Sequence, residues 1–299
     1  MEYVTKAKAN ISKYVFPLIA VYRCEFSFII DHLLFLFYSS TKKMTDETPV
    51  VFILWDESQN ETTVIKKFSN YLWAHPIHIP STYIMEGYFY SNMLGNIIDL
   101  SGLTSTWLGT IRYDKVRSRD RSIVNKMISD KTLVDAGVAL LSFYDPLATG
   151  ESIQFQADAA HPGLMNLLDY VLESVGERKE DIRKLRTTTP NFKGIFSYSF
   201  VARPHLMHDF ATWMSRALLF LITNVNAQEM VWKDSKYGGS DVAFRGIFGL
   251  PFCPLHPFFG ERLISYYFNA RGYKIMTINE YNTKTNDDDR VQANNVTSV

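Results

Sequence analysis

The sequence predicts an α/β protein built on a mostly parallel central sheet with helices on its faces. Three observations carry that prediction. The run from Pro49 to Trp55 is apolar without interruption and ends in Asp56-Glu57-Ser58, the pattern of a strand buried on both faces that opens into a polar loop. Val64, Phe68, Tyr71 and Leu72 then recur at helical spacing, so residues 61–72 read as a helix returning to the sheet. Further apolar runs arrive at 105–114 and 138–144, and strand plus crossover helix is the repeating unit of a parallel sheet.

Composition bounds the rest. A chain of 299 residues fits one large domain or two small ones, and 46% hydrophobic residues supply its core. Lysine plus arginine equals aspartate plus glutamate, 31 each, so the whole-molecule charge gives no footprint for nucleic acid, and no such partner is expected. Cys24 and Cys253 are too few for a disulfide framework and lack the spacing of a zinc site. The apolar stretch from Tyr14 to Tyr38 is interrupted by Arg23, Glu25, Asp31 and His32, which argues against a spanning membrane segment. No small-residue cleavage site follows it, so a cytoplasmic protein is expected, with residues 1–48 packed on the domain. Phe28, Ile29, Leu33, Leu34, Leu36 and Phe37 share an apolar face that leaves a peripheral membrane contact open.

Along the chain, Ser81 is the expected N-cap of an aromatic helix through Leu94 and an expected donor-binding residue. Ser105 to Asp114 reads as a second strand that delivers Arg112, Tyr113 and Asp114 to its carboxyl end. Ligands of open α/β sheets sit outside the carboxyl ends of strands, so Asp56 and the group Arg112, Tyr113, Asp114 and Lys115 are expected to line one nucleotide-binding cleft. Arg117, Arg119 and Arg121 add cations able to hold a diphosphate, the alternative being a solvated run paired with Asp120. Val138 to Tyr144 is a third strand closed by Asp145-Pro146, and Leu147 to His161 reads as an irregular connection. Pro162 to Val175 is an amphipathic helix, and Arg178 to Arg186 a solvated charged face.

In the last third, Phe192 to Val201 alternates as a strand. A helix is expected from about Leu206 to Val225 with Asp209 in its first turn, where the helix dipole favours a carboxylate. Asp234 to Asp241 reads as a Gly-rich loop. His256 opens another helix entry, with Glu261 and Arg262 at the helix start. Beyond Ile278 the composition turns to Asn, Thr and Asp, and a disordered tail is expected over 279–299.

Four motifs in order carry a family resemblance. They are Tyr83-x-x-Glu86 with Tyr88, Phe89 and Tyr90; Trp107-Leu-Gly-Thr-Ile-Arg-Tyr113; Phe196-Ser-Tyr-Ser-Phe200 with His208-Asp-Phe-x-x-Trp213; and Gly260-Glu-Arg-Leu263. The chain resembles GT-A-type glycosyltransferases of capsular-polysaccharide clusters, and is similar to those of large algal DNA viruses, including a chlorovirus xylosyltransferase. The resemblance implies a GT-A-like, Rossmann-type sheet in one catalytic domain over 49–278, with a donor half at 49–150 and an acceptor half at 151–278. It implies a nucleotide-sugar donor, UDP-xylose being the specific suggestion, a glycan acceptor, and, if the chain is viral, the host cytoplasm as its place. The bacterial strand motif ends Tyr-Arg-Arg, whereas Tyr113 here is followed by Asp114-Lys115. That departure leaves two ways to neutralise the diphosphate: arginine, or a divalent metal such as manganese held on Asp114.

Glycosyl transfer passes through an oxocarbenium-like state, so the protein must neutralise the departing diphosphate and, for an inverting reaction, deprotonate the acceptor hydroxyl. No Asp-x-Asp stands at a strand end, which favours Arg112, Lys115 and Arg262 as the phosphate-binding groups. Asp209 and Glu261 are the candidate bases; the competing readings are a helix-dipole carboxylate and an ion-pair partner of Arg262. Glu86 reads as structural, and the scattered histidines as turn residues. A non-catalytic carbohydrate-binding protein is the alternative, with Trp55, Trp73, Trp107, Trp213 and Trp232 stacking on sugar rings. The absence of Gly-x-x-x-x-Gly-Lys-Ser/Thr and Gly-x-Ser-x-Gly motifs puts nucleotide-dependent hydrolases further away.

Overall fold

A computed structural model describes residues 48–56, 59–79, 105–114, 120–148, 150–236 and 252–285, all within one compact unit, Asp46–Val299. Its strands are β1 (Val50–Trp55), β2 (Ala74–His78), β3 (Leu108–Arg112), β4 (Leu140–Ser142), β5 (Phe200–Ala202) and β6 (Ile275–Thr277), in the spatial order β2-β1-β3-β5-β4-β6. β5 alone runs antiparallel to its neighbours; the other strands share one direction. The helices are α1 (Glu61–Phe68), α2 (Asp120–Ser129), α3 (Lys131–Asp135), α4 (Ile153–Ala160), α5 (Leu164–Ser174), α6 (Lys179–Ile182), α7 (Pro204–Thr223), α8 (Val225–Val231) and α9 (His256–Ala270). Among the described residues no helix is long and apolar enough to cross a membrane.

β1 is buried from Val50 to Leu54, as a strand covered on both faces must be. Val51 and Ile53 point into a core shared with Val64 and Phe68 of α1 and Val124, Met127 and Ile128 of α2. On the opposite face Phe200 of β5 packs against Phe210 of α7 and Phe268 of α9. β3 and β5 approach closely because Gly109 carries no side chain: a Cβ there would lie 2.2 Å from the carbonyl oxygen of Phe200.

Several expectations change at this level. β2 was absent from the sequence reading because Ala-His-Pro-Ile-His has no strand pattern and contains Pro76. It is the terminal strand of the sheet's described part, where the missing N–H of proline is tolerated. Helix α1 ends at Phe68, four residues before Leu72, and Leu72 is exposed. Residues 147–161, expected to be irregular, contain α4, whose first turn is closed by Ser152 Oγ accepting from Phe155 N.

The expected strand from Phe192 shrinks to Phe200–Ala202, because Ser197 and Tyr198 adopt left-handed φ values of 52° and 50° and break the ladder. The expected disordered tail gives way in part: residues 278–285 are helical, and Tyr281 is buried with its hydroxyl donating to Asp130 Oδ2 at 3.1 Å. The expected segment at 1–48, the aromatic helix with Ser81 and Glu86, and Lys115, Arg117 and Arg119 lie outside the described residues, apart from Thr48.

Candidate functional site at the carboxyl edge of the sheet

The parallel strands end together, and the antiparallel β5 begins at that same edge. Chain order there departs from spatial order on both sides of β1, the arrangement that opens a ligand crevice in α/β sheets. Asp56 follows β1 and Arg112 ends β3 beside it. Arg112 donates from Nε to Asp114 Oδ1 at 2.6 Å, and its Nη2 lies 3.7 Å from Asp56 Oδ2. Of the residues expected to share a site at this edge, Asp56, Arg112 and Asp114 are therefore in contact.

Tyr113 turns the other way. Its ring packs against Phe68 and lies 3.9 Å beneath Lys67 Nζ, which also donates to the Tyr113 carbonyl. Burial, and next the nearby Arg121 charge, hold the Lys67 ammonium below its usual pKa. Arg121 in turn donates to the Lys67 carbonyl at 3.0 Å. Lys67 is thus a cation of this edge with no signal in the sequence, where it stands as one of two lysines in the last turn of a helix.

The second part of the edge forms where β5 enters the sheet. Arg112 N donates to Ser199 Oγ at 3.2 Å, Ser199 Oγ donates to the Ser197 carbonyl at 3.1 Å, and Ser197 Oγ donates to Glu261 Oε1 at 3.3 Å. A chain of hydrogen bonds therefore runs from the end of β3 to α9. Glu261 Oε2 accepts from Arg262 Nη1 at 2.8 Å. The Arg262 side chain is 1% exposed, donates through Nη2 to Gln156 of α4, and lies 4.4 Å from the Phe196 ring centroid. Burial lowers its pKa, opposed by the Glu261 charge. Gly260 permits this approach, since a Cβ there would fall 2.0 Å from Tyr198 Oη.

These positions correct two expectations. Glu261 and Arg262 are the sixth and seventh residues of α9, past the helix start, and Arg262 is buried instead of facing a phosphate. Asp209 is the sixth residue of α7, also past the first turn, with a side chain 62% exposed and 3.7 Å from His208 Nδ1. α7 begins at the opposite edge of the sheet, where Arg203 donates to the carbonyls of Val138 and Thr106 just ahead of β4 and β3. Asp209 is not brought to Asp56, Arg112 or Glu261.

A further carboxylate, Asp145, follows β4 at the same edge. Its Oδ1 accepts from Leu147 N and its Oδ2 from Gly194 N, and burial, the largest influence, raises its pKa. The sequence showed it only as the residue closing a strand.

Among the described residues no group of three or more His, Cys, Asp or Glu side chains is placed to hold a metal ion. Asp114 and Asp56 flank a guanidinium that occupies the ground a shared cation would need, a poor fit to a metal centre. His161 stacks on Phe258 and His256 packs edge-on to Trp232, so both are part of the packing. Comparison with protein-family models, curated proteins and solved structures gives no match. Fold and site together define an α/β protein with a mostly parallel sheet and a charged, hydroxyl-lined carboxyl edge.

Proposed function

We propose that this protein is a nucleotide-sugar-dependent glycosyltransferase with a GT-A-like fold, using a donor such as a UDP-sugar and a glycan acceptor. The observation that carries the reading is the convergence of Asp56, Arg112 and Asp114 at the carboxyl ends of β1 and β3. Ligands of open α/β sheets bind at such an edge. A partly exposed guanidinium there suits a diphosphate, which would replace the loose Asp56 contact by charge-assisted bonds. Lys67 and Arg121 add positive charge nearby. Arginine is the preferred counter-charge in this reading, and no step requires a metal on Asp114.

Three of the five tryptophans on which the alternative, a non-catalytic carbohydrate-binding protein, would rely lend it no support, while Trp55 and Trp232 are half-buried. Trp73, Trp107 and Trp213 are buried core residues and offer no ring face to a sugar. The test is a thermal-shift screen against UDP, GDP, CMP and their sugar conjugates, with and without manganese. A ligand of the native state adds about 2.7 kcal/mol of stability at a hundredfold excess over Kd, and the melting temperature rises accordingly. A rise with one nucleotide family supports the transferase; a rise with free oligosaccharides alone would transfer the case to the binding protein.

A further inference from the structure

Among the described residues Asp209, Asp145 and Glu261 are candidate proton acceptors, and their surroundings separate them. Asp209 is exposed on the first turns of α7, at the wrong edge of the sheet. Asp145 lies at the right edge, but each of its oxygens accepts a backbone N–H, which fixes it as a brace between β4 and the Gly194 segment. Glu261 lies at the right edge with one oxygen anchored and the other turned to a hydroxyl. Oε2 is held by a guanidinium shielded from water, while Oε1 meets only Ser197 Oγ among its described partners, at a long 3.3 Å.

Resting on the glycosyltransferase reading, we infer that Glu261 is the base of an inverting transfer and that Arg262 is its positioning residue. The acceptor hydroxyl takes the place of Ser197 Oγ at Glu261 Oε1. Its oxygen bonds to the anomeric carbon as the bond from that carbon to the diphosphate oxygen breaks. The electron pair leaves on the nucleoside diphosphate toward Arg112, and the hydroxyl proton passes to Glu261. Hydrogen bonds connect the two sites: Ser199 and Ser197, just ahead of β5, link the Arg112 backbone N–H to Glu261 on α9.

A buried ion pair adds little net stability against apolar residues of similar volume, so stability alone does not explain this one. Fixed orientation does. Gln156 and the Phe196 ring hold the guanidinium, the guanidinium holds Oε2, and the left-handed Ser197–Tyr198 turn presents the hydroxyl to Oε1. Left-handed pairs without glycine store strain, and such strain concentrates at functional sites. Among the described residues, the other titratable groups around Arg262 and Glu261 are Tyr198 from the β5 entry and His161 from the end of α4.

The experiment compares the wild type with Glu261→Gln, Asp145→Asn, Arg262→Lys and the double variant Glu261→Gln/Arg262→Met, which removes both charges of the pair together, leaves no buried charge unpaired and so guards against misfolding. Each is assayed for UDP-induced thermal shift and for UDP release from a panel of UDP-sugars with water as acceptor. The expected result is an unchanged shift but release reduced about 10²- to 10⁴-fold in Glu261→Gln and the double variant, with Asp145→Asn near wild type. Arg262→Lys should restore part of the rate and displace the acid limb of the pH profile. Folded Glu261 variants that release UDP at the wild-type rate, or loss confined to Asp145→Asn, would overturn the assignment while leaving the transferase reading intact. If no nucleotide shifts the wild type, the transferase reading itself falls, and the assignment with it.

Discussion

Arg112 and Arg262 are both held by carboxylates at one edge of one sheet, yet their surroundings differ in kind. Arg112 is 22% exposed and shares itself between Asp114 and a distant Asp56. Arg262 is 1% exposed and closed in by Glu261, Gln156 and Phe196. An exposed pair is worth little to stability, so its members can exchange partners at small cost. A buried pair cannot lose one member without stranding a charge in a low-dielectric interior. One half of the edge is thus adaptable and suited to a charged ligand; the other is fixed and suited to holding a geometry.

The largest effect should come from breaking the fixed half. Glu261→Ala leaves Arg262 buried and unpaired, and urea unfolding should show a loss of about 3–5 kcal/mol. The same measurement on Arg112→Ala should show less than about 1 kcal/mol. Equal losses would erase the distinction.

Next, Gly260→Ala places a Cβ 2.0 Å from Tyr198 Oη, and overpacking of this sort costs about 1–3 kcal/mol. A thermal melt checks it. A larger cost in the double change Gly260→Ala/Tyr198→Phe than in Gly260→Ala alone would contradict that account, since the clash is with the hydroxyl.

Acidification gives a third contrast. Burial, assisted by the Arg262 charge, pushes His161 down to about 4, and burial pushes His256 to about 3. Both are neutral in the folded protein and gain protons on unfolding once the pH falls below the usual value of 6.5. Stability should be full above that value and decline steadily as pH drops toward 4, and His256→Phe should flatten the decline. An unchanged melting temperature from pH 7 to pH 4.5 would show that neither imidazole is neutral for this reason.

The smallest effect on stability is the most informative about the adaptable half. Asp114→Asn should move the melting temperature little, because an exposed pair contributes roughly 0–1 kcal/mol, while freeing Arg112 for phosphate. Titration with UDP should then show binding at least as tight as in the wild type. Weaker binding would mean that Asp114 itself helps to hold the ligand.

Much of the adaptable half was legible beforehand. The apolar run into Asp56 and the strand ending in Arg112 named both residues and the edge they share, because a parallel strand announces itself as a continuous apolar run. The fixed half was not. Glu261 and Arg262 stand out as a pair in the sequence, but the helix begins five residues earlier at His256, and nothing in the sequence marks Arg262 as buried. Gln156 lies in a stretch whose sequence reads as irregular, and the bond that fixes its role crosses 106 positions of the chain. β2 was missed for a related reason, since an edge strand keeps its place through pairing with β1 instead of through its own pattern.

The sequence by itself determined the α/β class, the helical faces and the polar residues at the ends of the apolar runs, because those follow from local periodicity and the cost of burying charge. Tertiary structure decided which carboxylates meet which cations. The reversal of β5 between β3 and β4 brought Ser197 and α9 to the edge of Arg112 and carried Asp209 to the other edge. Such contacts depend on how distant segments pair and pack, and a linear pattern does not encode that distance.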